Sequence, residues 1–189
     1  MADRSASPAV FLDRDGTVIE DTGYLHDPNG VRLLPGAARA ITRLNRAGLR
    51  VVTVTNQSGI ARGLYPESDY HAVQRRLIEL LATAAARLDG QYFCPHYPAV
   101  SGPCDCRKPG VRLFTDAARE LHLDLARSAY VGDRPSDLEP GRHFGGRPIL
   151  VRTGEGAQHE AQARTLGAAI VADLAAAADL ILGGGDRDG

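Results

Sequence analysis

The chain has 189 residues, 43% of them hydrophobic and 24% charged, with 22 basic side chains against 23 acidic ones for a net charge of -1. That balance excludes bulk attraction to nucleic acid or to an anionic membrane surface, so any cationic site must be local. No apolar run approaches the ~18 residues of a membrane span, and residues 1–8 lack the apolar segment of a signal peptide; a soluble cytoplasmic protein is expected.

Short apolar runs alternate with longer helical stretches. Residues 1–8 are expected to be flexible, and residues 9–12 read as a buried strand that runs into the polar turn Asp13-Arg14-Asp15-Gly16-Thr17. Residues 37–47 carry apolar side chains at helical spacing, with Gly48 as the stop. Residues 50–55, rich in β-branched side chains, predict a second strand ending in Thr55-Asn56-Gln57-Ser58-Gly59. A long helix over 67–88, a short third strand over 91–93 and a helix over 111–121 follow. Residues 129–132 predict a fourth strand that opens into Asp133-Arg134 and Asp137, residues 148–152 a fifth, and 169–171 a sixth. A last helix spans 174–182, and the Gly- and Asp-rich tail 183–189 is expected to be disordered. Strands alternating with helices predict an α/β fold: a Rossmann-like parallel sheet with helices on both faces, in one domain over 9–182.

Ligands of such sheets bind beyond the carboxyl ends of the strands, where the polar turns above converge. Asp13 and Asp15 lie two apart at one strand end, and Asp133 adds a third carboxylate. An oxygen-only set of this kind suits Mg²⁺. Lys108 and the Thr55 hydroxyl would hold the remaining oxygens of a transferring phosphoryl group. One carboxylate can then act as nucleophile and a second as proton donor and acceptor. Lys108 is the only lysine among the 22 basic residues, in a chain that otherwise uses arginine, which points to a need for a compact ammonium. A D-x-D turn alone reads as a capping turn, and Asp137 alone as a helix cap. It is the set of turns, each at its own strand end, that argues for a site.

The motifs FLDRDGT, GYLH, VVTVTNQSGIARG, CPHYP, CDCRKP and YVGDRPSD resemble those of the haloacid dehalogenase superfamily, in its sugar-bisphosphate phosphatase branch, over residues 10–154. The resemblance implies a Rossmann-like fold with a minimal, loop-type cap. It implies Asp13 as nucleophile, Asp15 as general acid and base, and Thr55 and Lys108 as phosphoryl stabilisers. Magnesium would be held by Asp13, Asp15 (through its carbonyl) and Asp133. Substrate contacts would come from Asp21, Thr22, Gly23, Tyr24, Asn56, Gln57, Ser58, Arg107 and Arg134. The chain departs from the family pattern in a short segment 107–110 and in Arg134, where lysine is common.

Cys94, His96, Cys104 and Cys106 place three thiols and an imidazole within thirteen residues and use every cysteine of the chain. Such a set matches a closed tetrahedral zinc site, which is structural rather than catalytic. The alternatives are three buried thiols, or a Cys104–Cys106 disulfide that would be strained. A small phosphorylated sugar is the expected substrate, because Arg62, Arg107 and Arg134 supply cations for a second phosphate. Histidinol phosphate is the nearest rival, and a non-catalytic zinc-stabilised interaction module the most distant. Neither nucleic acid nor membrane is expected as a partner, and the absence of a long apolar helix face predicts a monomer.

Overall fold

The computed structural model describes residues 6–183. In chain order the elements are β1 (Ser7–Leu12), α1 (Ala37–Arg46), β2 (Arg50–Asn56), α2 (Glu67–Ala82), β3 (Gly90–Cys94), the single-turn α3 (Pro98–Ser101) and α4 (Arg112–Leu121). Then follow β4 (Leu123–Gly132), α5 (Pro135–Phe144), β5 (Arg147–Val151), α6 (Glu160–Thr165), β6 (Ala169–Val171) and α7 (Leu174–Gly183). The six strands form one sheet in the order β3-β2-β1-β4-β5-β6, with every neighbouring pair parallel. No helix of the described residues is long and apolar enough to cross a membrane.

Both faces of the sheet are covered, which is why its strands are near-continuous apolar runs. Along β1 the side chains alternate between two cores. Val10 and Leu12 join Val51 and Val131 beneath α1, α2 and α7. Ala9 and Phe11 point the other way, to Val52, Val54 and Tyr130 beneath α4. Phe11 meets Phe114 edge-on at 5.2 Å and stacks on Tyr130 at 5.1 Å. Burying each such ring contributes about 1.5–3 kcal/mol. The chain runs from β1 outward to β3 and then returns to β4 on the other side of β1. That reversal opens a cleft past the carboxyl end of β1, flanked by β2 and β4.

Elements depart from the sequence expectation at several points, and the short helices α3 and α6 were not expected at all. β1 starts at Ser7, because Ser7 and Pro8 pair with Leu123 and Asp124 of a β4 longer than predicted. The expected flexibility of residues 1–8 therefore does not extend to these two; residues 1–5 lie outside the described residues, as does the expected disorder of 184–189, whereas Gly183 closes α7. α2 ends at Ala82 rather than 88. Ala85 takes a left-handed φ of 54°, the Ala86 N–H returns to Leu81 O at 3.0 Å, and Ala86 is buried, so packing stops the helix. α5 was not predicted, since Pro140 and Gly141 interrupt its pattern. Burial of Leu138, Pro140 and Gly141 overrides their poor propensity.

Candidate active site

Past the last residue of β1, the Asp13 N–H donates to Val131 O at 2.9 Å, so the strand's direction carries this carboxylate into the cleft. Asp13 Oδ1 lies 2.7 Å from Lys108 Nζ. The same ammonium is 2.7 Å from Asp137 Oδ1 and 2.5 Å from the Val54 carbonyl. Lys108 is held there by its own main chain: its N–H donates to Asn56 Oδ1 at 3.0 Å and its carbonyl accepts from Asn56 Nδ2 at 3.2 Å. Burial alone would lower the Lys108 pKa, but Asp13 and Asp137 outweigh it and raise the group above the ordinary lysine value.

Asp133, fully buried, accepts the Glu155 N–H on Oδ2 at 2.8 Å. Its other oxygen, Oδ1, is buried without a hydrogen-bond partner. The backbone crowds this carboxylate from two sides. A Cβ at Gly16 would come within 2.4 Å of Asp133 Oδ2 and one at Gly154 within 2.1 Å, and both glycines have positive φ, 82° and 58°. Asp13, Asp133 and Asp137 can each offer an oxygen such that the three lie within 4.8 Å of one another. Burial first, and then the neighbouring carboxylates, push Asp13 well above the usual aspartate range despite Lys108. Asp133 is raised to about 6 by burial, with Asp137 adding to it. One ammonium leaves this trio of carboxylates under-neutralised. The orphaned Asp133 oxygen and the oxygen-only donor set fit a small hard dication.

Asp15 sits on the other wall. Its carboxylate is gripped by Arg14, Nε on Oδ2 and Nη2 on Oδ1, both at 3.1 Å. Arg14 is 1% exposed and lies over the Tyr70 ring at 5.5 Å, so it is a fixed anchor rather than a surface charge. Gln57 Nε2 donates to Asp15 Oδ2 at 3.0 Å and to Thr55 Oγ1 at 2.9 Å, while Gln57 Oε1 accepts from the Tyr65 hydroxyl at 2.8 Å. A buried chain of hydrogen bonds thus orients both the carboxylate and the Thr55 hydroxyl.

The cleft has a volume of about 630 Å³, and Arg107 and Arg134 stand on its wall. Arg134 bridges its mouth, donating to Asp21 Oδ2 at 3.1 Å and Glu155 Oε1 at 2.9 Å. Arg107 donates to the His96 carbonyl at 3.4 Å. Immediately before Arg107 lies a cluster of Cys94, His96, Cys104 and Cys106 whose ligand atoms are within 4.8 Å of one another. Cys94 and Cys104 sulfurs are 3.7 Å apart, Cys106 lies 3.0 Å from Cys94, and His96 Nδ1 is 3.1 Å from Cys106. A tetrahedral centre with metal–sulfur bonds of about 2.3 Å has edges of about 3.7 Å. The Cys94–Cys104 and Cys94–His96 separations match it and Cys106 stands closer in, so it is the three-thiol, one-imidazole donor set that suits one tetrahedral metal ion.

Comparison with known proteins agrees with this geometry. A haloacid dehalogenase-like hydrolase model matches residues 10–70, and a HAD-hydrolase-like model matches residues 105–177. The D-glycero-β-D-manno-heptose-1,7-bisphosphate 7-phosphatase of Photorhabdus laumondii is 40% identical over 161 residues, 82% of this chain and 86% of that protein. The chain belongs to the haloacid dehalogenase-like hydrolases. Among solved structures, the D,D-heptose 1,7-bisphosphate phosphatase of B. bronchiseptica, complexed with magnesium and phosphate, superposes with a TM-score of 0.86 at 37% identity, over 94% of this chain and 99% of that one. Its counterpart from Burkholderia thailandensis gives 0.71 at 34% identity, over 93% and 99%. The chain is accordingly a phosphoric monoester hydrolase.

In this haloacid dehalogenase-like hydrolase, all of the predicted catalytic and substrate residues line the cleft except Thr22, which is exposed to solvent beside it. Asp133 lies beneath the floor rather than on it, as suits a metal ligand. Arg62, expected near a second phosphate, does not line the cleft. Two residues outside the expected catalytic and binding set take part in the geometry. Asp137 reads in sequence as a helix cap, and one of its oxygens does accept the Arg134 N–H at 3.0 Å; the other faces Lys108. Arg14 lies between two acidic neighbours and carries no sequence sign of burial.

Proposed function

We propose that this chain is a magnesium-dependent phosphatase that removes the 7-phosphate of D-glycero-D-manno-heptose 1,7-bisphosphate and leaves heptose 1-phosphate, a step toward nucleotide-activated heptose. The observation that carries the reading is one cleft whose lining includes both a carboxylate–ammonium pair, Asp13 and Lys108, and two arginines. Its floor holds Asp13, Thr55 and Lys108 around a space for one phosphoryl group, and its wall carries Arg107 and Arg134 for another. The relatives similar over four-fifths of the chain carry the β-anomer in their names, and that anomer is the proposed substrate.

Asp13 attacks phosphorus in line with the sugar oxygen, forming an aspartyl phosphate as the phosphorus–oxygen bond to the sugar breaks. Asp15 gives its proton to the departing oxygen. It then takes one from a water molecule, which displaces Asp13 and releases inorganic phosphate. Lys108 and the Thr55 hydroxyl neutralise the equatorial oxygens throughout, already oriented by Asn56 and Gln57. Asp13, Asp133, Asp137 and the Asp15 carbonyl would hold Mg²⁺, which supplies charge neutralisation for the phosphoryl oxygens. Cys94, His96, Cys104 and Cys106 would hold zinc and fix the start of the segment carrying Arg107 and Lys108. Reduced thiols of this kind suit a cytoplasmic protein.

The test is kcat/KM for phosphate release with Mg²⁺ on both anomers of the bisphosphate and on histidinol phosphate. A preference for the β-bisphosphate above about a hundredfold, or about 2.7 kcal/mol, is expected. A preference for histidinol phosphate would keep the mechanism and replace the substrate. Asp13→Asn abolishes release, and residual turnover in that variant would overturn the nucleophile.

A further inference from the structure

We propose that Arg62 is a positioning residue: it clasps the loop carrying Tyr24 to the cysteine-rich loop and thereby fixes Tyr24 at the cleft. This rests on the assignment of the cleft as the phosphatase site. Arg62 is exposed, on the turn between β2 and α2, so core packing does not dictate where its side chain lies. Its guanidinium nevertheless sits 5.2 Å from the centre of the Tyr24 ring and 4.8 Å from that of Tyr97. It also donates from Nη1 to the Tyr24 hydroxyl. The two rings come from loops more than seventy residues apart, one on the wall of the cleft and the other directly after His96.

The turn that carries Arg62 is itself tied down. Gln57 N–H donates to Cys94 O at 2.8 Å, Ala61 N–H to Pro95 O at 3.2 Å, and Arg62 N–H to Ser58 O at 3.1 Å. Gly59 lies beneath both aromatic neighbours: a Cβ there would stand 3.0 Å from Tyr24 Cδ1 and 2.2 Å from Tyr65 Cε1. Tyr24 is thus held between the Gly59 backbone and the Arg62 cation. Residues 20–24 are all exposed. Beyond the clasp the loop is tied by the Arg134–Asp21 pair, by the Glu20 N–H to Arg32 O at 2.9 Å and by the buried Leu25 that follows Tyr24, so the clasp is the tie that bears on the Tyr24 ring itself. Two cation–π contacts of ordinary exposed strength bias such a loop toward its clasped form by about five- to thirtyfold. A substrate that needs the clasped form loses apparent affinity in proportion when that bias is removed.

Arg62→Ala should therefore raise KM for the bisphosphate about five- to thirtyfold and leave kcat within about a factor of two. Arg62→Lys, which keeps a cation between the rings, recovers part of the loss. Tyr97→Leu raises KM as well, and the double variant is no worse than Arg62→Ala alone, because both cut the same clasp. Hydrogen exchange of the full chain, which requires no substrate, is expected to quicken in residues 21–26 in Arg62→Ala and in Tyr97→Leu. Unchanged exchange there overturns the clasp. A KM defect seen with the bisphosphate but absent with heptose 7-phosphate also overturns it, since that pattern marks direct contact with the distal phosphate. If the wild-type chain releases no phosphate from the bisphosphate, the substrate reading fails, and the exchange measurement still decides the clasp.

Discussion

Lys108 occupies a space that an arginine would not fill in the same way. Three oxygens, from Asp13, Asp137 and Val54, converge on one nitrogen at 2.7, 2.7 and 2.5 Å, and the side chain is 2% exposed. A guanidinium is planar, presents its donors as a fork and is too wide for a three-oxygen nest. Lys108→Arg is expected to lower kcat by at least about a hundredfold and to lower the melting temperature, by steady-state kinetics and thermal unfolding. Near-normal kcat in that variant would remove Lys108 from the mechanism. The lysine was legible in the sequence because a chain that replaces nearly every lysine with arginine had kept this one. Asp137 was legible as a strand-end carboxylate but not as the partner of Lys108, and Arg14 was not legible at all, because these roles depend on distances between elements. Asp137 faces an ammonium contributed by a residue 29 positions earlier in the chain. Arg14 becomes a buried anchor only once α2 lays Tyr70 against it.

At the scale of elements, one carboxylate ties the start of β2 to the start of β3. Asp89 accepts the Val51 N–H at 2.9 Å and pairs with Arg50 at 2.8 Å and Arg87 at 3.3 Å. Burial opposes its ionisation, but the backbone donor and the two arginines prevail and lower its pKa. A depressed carboxylate contributes stability above its unfolded pKa of about 3.9 and loses it as the pH falls through the folded value. Asp89→Asn should therefore cost about 1 kcal/mol of unfolding free energy at pH 7, and the difference from wild type should shrink at pH 3. Equal differences at the two pH values, from denaturant titrations, would show that the charge does not matter. The strands themselves were readable because a parallel sheet covered on both faces needs apolar residues at almost every position. Helix limits were less so. α5 carries Pro140 and Gly141 in its interior, and Ala85 ends α2 in a conformation usually left to glycine.

Across the whole molecule, the cysteine cluster stands between β3 and the segment that supplies Arg107 and Lys108, so its state bears on both stability and catalysis. Metal analysis should find about one zinc per chain, and stripping it with a chelator should lower the melting temperature by several degrees and reduce kcat/KM. A chain that binds no zinc, or that keeps its melting temperature after chelation, would refute the assignment. The Cys/His cluster was readable from ligand type and spacing alone, whereas the link from this loop through Tyr97 and Arg62 to Tyr24 could only be seen once the loops were placed in space.

The sheet order has one more consequence. Asp13, Asp15 and Thr55 all precede the exposed turn after α2, and Lys108, Asp133 and Asp137 all follow it. A cut in that turn would leave one fragment with the nucleophile and no ammonium to orient it. The other would hold the ammonium and two carboxylates with nothing to attack a substrate. Neither fragment retains a weakened version of the chemistry. With the roles proposed for these residues, catalysis would be an all-or-none signal that the two halves have met, and phosphate release a direct assay for fragment complementation.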